Sequence, residues 1–157
     1  MSPREPRAQA VKPVKPIKTM AKARLVGAVI AVGGLVMLFY AGTRTIESGL
    51  LRTIYSGGLV LALMAAVIVL GGCVLHLLEL TGIALPTMQV GSVVGLLAIG
   101  ALIIAAVAAM LVENPDVGPL LLFSFIAASM CLTLMVFSGQ TRIDAKRIEA
   151  ERARALR

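Results

Sequence analysis

Four apolar stretches without Lys, Arg, Asp or Glu dominate this sequence, at about residues 25–42, 53–78, 88–112 and 118–139. A helix needs about 20 apolar residues to cross the hydrocarbon core of a bilayer, and each stretch is close to that length or longer. Short connections between the stretches favour antiparallel neighbours. The sequence therefore predicts an all-α integral membrane protein with four transmembrane helices in an up-down bundle.

The overall composition excludes a small soluble globule. Hydrophobic residues make up 59% of the 157 residues and charged residues 15%, whereas soluble domains carry about 25% charged residues. A soluble domain of this size has too little interior to hide so much apolar surface. The membrane is therefore the solvent in which the chain is expected to fold.

Positive charge is concentrated in the two tails. All but two of the 15 Lys and Arg residues lie before residue 25 or after residue 140, and only Arg44 and Arg52 lie between. Because positively charged segments stay on the cytoplasmic side, and four spans bring both termini to one side, we predict a multi-pass protein with both termini cytoplasmic. Nucleic acid is not an expected partner, since no folded basic domain or stacking aromatics accompany the charge.

Three segments follow from this pattern: a basic Pro/Lys-rich tail (1–24), the transmembrane domain (25–139) and a charged C-terminal helical extension of the fourth helix (140–157). In the first tail, Lys12, Lys15 and Lys18 recur every third residue and would share one edge of a polyproline II helix. They are candidate contacts for anionic lipid headgroups or a partner, and the alternative is a solvated tail. In the last segment, Asp144 and Arg147 are spaced for a local ion pair.

Several residues predict local structure. Gly82 and Pro86 are interpreted as stop signals after the second helix, with the third helix starting beyond Pro86. Pro119 suits the first turn of the fourth helix. The two tyrosines, Tyr40 and Tyr55, are expected at the outer membrane interface beside the first connection.

The third span carries a small-residue pattern. Gly91 and Gly95 form a GxxxG match, followed by Ala101, Ala105 and Ala109 at four-residue spacing. Small residues let helices approach closely in lipid. The pattern predicts a packing helix, either within the chain or against another subunit.

Candidates for chemistry are few. Cys73 and Cys131 lie in apolar stretches and are interpreted as small buried side chains. His76 and Glu79 are low-ranking polar candidates for a proton relay, a quinone contact or a metal ligand, and the alternative is an interfacial pair facing headgroups. One helix supplies too few ligands for a metal or a haem. With no known catalytic motif in the chain, we predict no enzyme activity, no catalytic residues, no metal and no cofactor.

The Ala-rich third span (101–109) and the Arg/Ala-rich end (149–157) give the chain a layout that resembles the small accessory subunits of actinobacterial respiratory complexes, such as the cytochrome bc–aa3 supercomplex. The resemblance covers the style of the whole chain and assigns no role to any residue. It implies a bacterial cell (inner) membrane protein that supports the respiratory chain beside other membrane subunits.

Three functions remain open at this level. The first is a non-catalytic accessory or assembly subunit of a larger membrane complex, with the respiratory chain and cytochrome oxidase as the expected setting. The second is a small oligomeric membrane transporter or channel, which the lack of an acidic residue in the first span disfavours. The third is a small membrane enzyme that uses His76 and Glu79.

Overall fold

The computed structural model describes residues 16–47, 49–78, 80–111 and 117–155. These form four helices: α1 (Pro16–Thr45), α2 (Gly49–Leu77), α3 (Thr81–Leu111) and α4 (Val117–Ala155). Each contains a segment long and apolar enough to span a membrane, at Met20–Thr45, Gly49–Leu77, Gly82–Leu111 and Val117–Arg147. No strand occurs in the described segments. The prediction of an all-α bundle with four membrane-spanning helices is confirmed.

The start of α3 differs from the prediction. The Leu80 carbonyl accepts a hydrogen bond from the Ala84 amide (3.0 Å), which begins the helix at Thr81 rather than after Pro86. Pro86 is the sixth residue of α3, where its ring removes one backbone hydrogen bond and crowds the preceding turn, and membrane-spanning helices tolerate such a proline. Gly82 and Pro86 therefore do not end the second helix, which stops at Leu77. Pro119 does lie in the first turn of α4, as predicted.

The bundle is built around α2, which contacts each of the other three helices and packs most extensively against α3. By contrast, α1 packs only against α2 and α4. A buried residue recurs on α2 every three or four positions, and most of these residues are small: Leu51, Tyr55, Gly58, Leu59, Ala62, Ala65, Ala66, Val69, Gly72 and Cys73. Close helix approach through small side chains is the ordinary way to hold helices together in lipid.

Tyr55 shows how closely α1 and α2 pack. It is fully buried between the helices, and its hydroxyl donates a long hydrogen bond to the Leu38 carbonyl (3.4 Å). The space for its ring exists because α1 carries Gly42 at this level, where a Cβ would collide with the ring. Tyr40 is exposed, with the Arg44 guanidinium 4.3 Å from its ring centroid.

The outside of the bundle is apolar, as a lipid-facing surface requires. Large hydrophobic side chains such as Ile30 and Met37 on α1 and Phe125 on α4 point outward and are more than half exposed. The two cysteines, Cys73 and Cys131, are buried free thiols, as the sequence predicted.

Candidate functional site

A salt bridge joins α1 to α4 at the end of the bundle where α1 begins, which we call the tail side. The Arg24 Nη2 atom lies 2.7 Å from the Asp144 Oδ2 atom, and the side chains are 10% and 21% exposed. Arg24 Nη1 also donates to the Thr141 hydroxyl (3.2 Å), which in turn donates to the Phe137 carbonyl (2.8 Å). The guanidinium is thus held by two side chains that lie about one turn apart on the same face of α4.

His76 lies in the last turn of α2, which ends on the tail side of the bundle. The buried thiol of Cys73 lies one turn earlier on the same helix. The Nδ1 atom of His76 is buried and makes no hydrogen bond in the described structure, and the Nε atom of Arg142 is in the same situation. The tail-side cluster (Arg24, Cys73, His76, Thr141 and Asp144) therefore draws on three of the four helices.

The chemistry of this cluster is that of a clamp between helices. Its one carboxylate is occupied by the guanidinium of Arg24, and that guanidinium is bonded to Thr141 as well. Among the described residues, no group of three His, Cys, Asp or Glu side chains is arranged to hold a metal ion. A charge-assisted pair with a second hydrogen bond fixes the relative position of two helices.

A second polar contact lies in the interface of α3 and α4. The Ser138 hydroxyl is fully buried and donates to the Met88 carbonyl (3.1 Å), while it accepts from Ser92 (3.0 Å). The Ser92 hydroxyl also lies 3.0 Å from the Met88 carbonyl. Hydroxyl groups of this kind bond across helices in lipid because no water competes for them.

Replacing Ser138 with alanine is expected to lower the free energy of unfolding by about 0.5–1.5 kcal/mol, because the interhelical hydrogen bonds are lost. The matched control is Ser129→Ala, since the exposed Ser129 hydroxyl bonds only to the Phe125 carbonyl of its own helix (2.8 Å). Unfolding in mixed micelles of mild detergent and SDS measures both. Equal losses for the two variants would contradict an interhelical role for Ser138.

Only some of the predicted site residues lie within the part of the chain that the structure describes. His76 belongs to the tail-side cluster, but Glu79 lies outside the described residues, as do Lys12 and Lys15, and the Lys18 side chain is also undescribed. Gly91 and Gly95 lie in the interface of α2 and α3. A Cβ on Gly91 would come 2.8 Å from the Cγ2 atom of Val69, and one on Gly95 would come 3.7 Å from the Cβ of Ala65. Their small-residue pattern thus serves contacts within the chain.

Sequence reasoning missed the partners that hold the tail-side cluster together. Asp144 was expected to pair with Arg147 on its own helix, but it pairs with Arg24, which is 120 positions away. Arg24 itself was counted as part of the basic tail. The position of Arg24 directly before the first apolar stretch could have indicated this contact. If the helix of that stretch begins before Arg24, the arginine lies at the end of the bundle, next to the other helices.

Comparison of the chain with protein families, curated proteins and solved structures found no match.

Proposed function

We propose that this protein is a non-catalytic subunit of a larger membrane complex and that it acts through its outer surface. The observation that carries the proposal is the filling of the bundle interior. Leu59, Ala62, Ala66 and Val69 follow one another along α2, and none of them has any solvent exposure. A conducting path or an active site inside the bundle would need open or polar space where these side chains lie.

The distribution of burial supports a role for the surface. The share of the most apolar part of each span that is buried within the chain is 22% for α1 and 28% for α3 and α4, compared with 44% for α2. Much of the surface of α1, α3 and α4 therefore faces either lipid or another protein. A long apolar helix at the edge of a bundle provides the kind of surface on which membrane subunits assemble.

The finer parts of the proposal come from the sequence. We place the protein in a bacterial cell membrane, beside the oxidase or the quinol-oxidising complex of a respiratory chain, with both termini cytoplasmic. Lys12, Lys15 and Lys18 would then contact anionic headgroups or an acidic surface of a neighbouring subunit. The salt bridge of Arg24 with Asp144 supports one part of this proposal, that both tails are on the same side of the membrane, since it joins the beginning of α1 to the C-terminal part of α4.

Blue-native electrophoresis of gently solubilised membranes tests the proposal. A C-terminally tagged chain is expected to migrate as part of an assembly far larger than any small multiple of its 16.4 kDa mass. Replacing the three tail lysines with glutamine is expected to shift part of the protein to a smaller species. The matched control is Lys146→Gln, an exposed lysine in the other tail. Migration of the unmodified chain as a small species would contradict the proposal.

The second candidate, a small oligomeric transporter or channel, is favoured by the tail-side cluster. Charged groups within membrane spans often mark ion or substrate pathways, and Arg24 and Asp144 lie inside the apolar segments of α1 and α4. Flux assays on the isolated full chain in liposomes separate the two candidates. A subunit gives no flux above protein-free vesicles, whereas flux that Asp144→Asn abolishes without unfolding the protein would favour transport.

A further inference from the structure

A groove of about 650 Å³ opens on the side of α2 that lies between α1 and α3, near the end of the bundle opposite the tail side. Phe39 of α1 and Ala101 of α3 form its two walls, and Gly57 and Val60 of α2 are part of its floor. Nothing lies within 4 Å of the position that a Cβ on Gly57 would occupy. The groove exists because α1 does not contact α3, which leaves this face of α2 uncovered.

The groove presents apolar surface to whatever fills it. Its two hydroxyl side chains are already bonded to the backbone of their own helix, Thr53 to the Gly49 carbonyl (2.8 Å) and Ser56 to the Thr53 carbonyl (3.0 Å). The groove lies within an apolar membrane-spanning segment. An occupant must therefore be apolar along the length of the groove.

The exposed residue Arg52 brings a positive charge next to the groove, although it is not one of the lining residues. It directly precedes the lining residue Thr53 and is four residues before the lining residue Ser56, so Arg52 and Ser56 share one face of α2. The ion pair found among the described residues, between Arg24 and Asp144, does not involve Arg52. A guanidinium in this position has the geometry to bind a phosphate with two hydrogen bonds.

The length of the groove suits part of an acyl chain. The lining residues on α2 extend from Thr53 to Leu61, which corresponds to about 12 Å along the helix axis. The headgroup of a lipid whose chain lies along this stretch would be at the level of Arg52, which directly precedes Thr53.

We propose that the groove is a phospholipid-binding site, in which one acyl chain lies over Gly57 and the phosphate pairs with Arg52. This site does not depend on the protein being a subunit of a complex. It assigns Arg52 a ligand, whereas the tail-side arginine, Arg24, has a partner within the chain.

Native mass spectrometry of the full chain in mild detergent, titrated with phosphatidylglycerol, tests the proposal. The unmodified chain is expected to retain one lipid. Gly57→Leu fills the groove and is expected to weaken lipid binding about tenfold or more. Its control, Gly33→Leu, adds the same side chain at an open position of α1 and should leave binding unchanged.

Removal of the charge gives an independent readout that does not alter the shape of the groove. Arg52→Gln is expected to weaken binding about threefold to fivefold, the size expected for one exposed ion pair. Arg44→Gln is the control, since that guanidinium lies over the Tyr40 ring. Equal binding by Gly57→Leu and Gly33→Leu would overturn the proposal. So would a photoreactive residue at position 57 that crosslinks in native membranes to a protein rather than to lipid.

Discussion

Replacing Asp144 with alanine is expected to lower the free energy of unfolding by about 2–3 kcal/mol, the first of the two largest effects that we predict. The substitution leaves Arg24, which is 8% exposed, without its carboxylate partner. Removing one member of a buried pair is costly because the remaining charge stays desolvated. The figure is below that of a fully buried pair because the Asp144 side chain retains some exposure. Unfolding in mixed SDS micelles measures the loss.

Two further variants show whether the pair itself is responsible. Arg147→Ala removes an exposed charge from the same helix and should change stability by less than 0.5 kcal/mol or so. Combining Asp144→Ala with Arg24→Met removes both charges and should recover a large part of the loss. A loss for Asp144→Ala no greater than that for Arg147→Ala would show that the salt bridge does not hold α1 to α4.

Replacing Gly91 with leucine is expected to cost about 2–3 kcal/mol, because it forces apart the two helices with the largest interface. A Cβ at this position would lie 2.8 Å from the Cγ2 atom of Val69 and 3.3 Å from the Val69 backbone nitrogen. Rotation of the valine side chain relieves the first clash, but only movement of α2 relieves the second. The same unfolding measurement applies.

Gly100 provides the matched control on the same helix. A Cβ on Gly100 meets nothing within 4 Å, so Gly100→Leu should leave stability nearly unchanged. Gly95→Ala is a milder test of the interface, since its Cβ would make ordinary contacts with Ala65 at 3.7 Å and with Met135. If Gly91→Leu is as well tolerated as Gly100→Leu, then α2 and α3 do not pack as closely as described.

The number of helices and their membrane character could be predicted because hydrocarbon imposes them. A long uncharged stretch has few alternatives to a helix when it must satisfy its own backbone groups in lipid. The residues at which the helices begin and end were less predictable. Pro86 is a strong signal against the interior of a helix in soluble proteins, but helices in lipid tolerate an interior proline, and α3 continues through it.

The features that could not be predicted from the sequence depend on contacts between distant parts of the chain. Asp144 has a nearby candidate partner in Arg147, and spacing along the sequence favours such local pairs. Its actual partner, Arg24, is adjacent only because α1 and α4 pack side by side, which no local pattern reveals. The burial of Tyr55 is a similar case. No local pattern reveals that Gly42 on the neighbouring helix provides a buried place for its ring.

The proposal that this protein is a subunit of a larger membrane assembly is tested by affinity isolation of the tagged full chain from native membranes in mild detergent, followed by quantitative mass spectrometry of the recovered proteins. We expect recovery in fixed stoichiometry with the subunits of a large membrane complex, with those of a respiratory complex as the expected set. Recovery of this chain alone, as a monomer or a homo-oligomer, would contradict it.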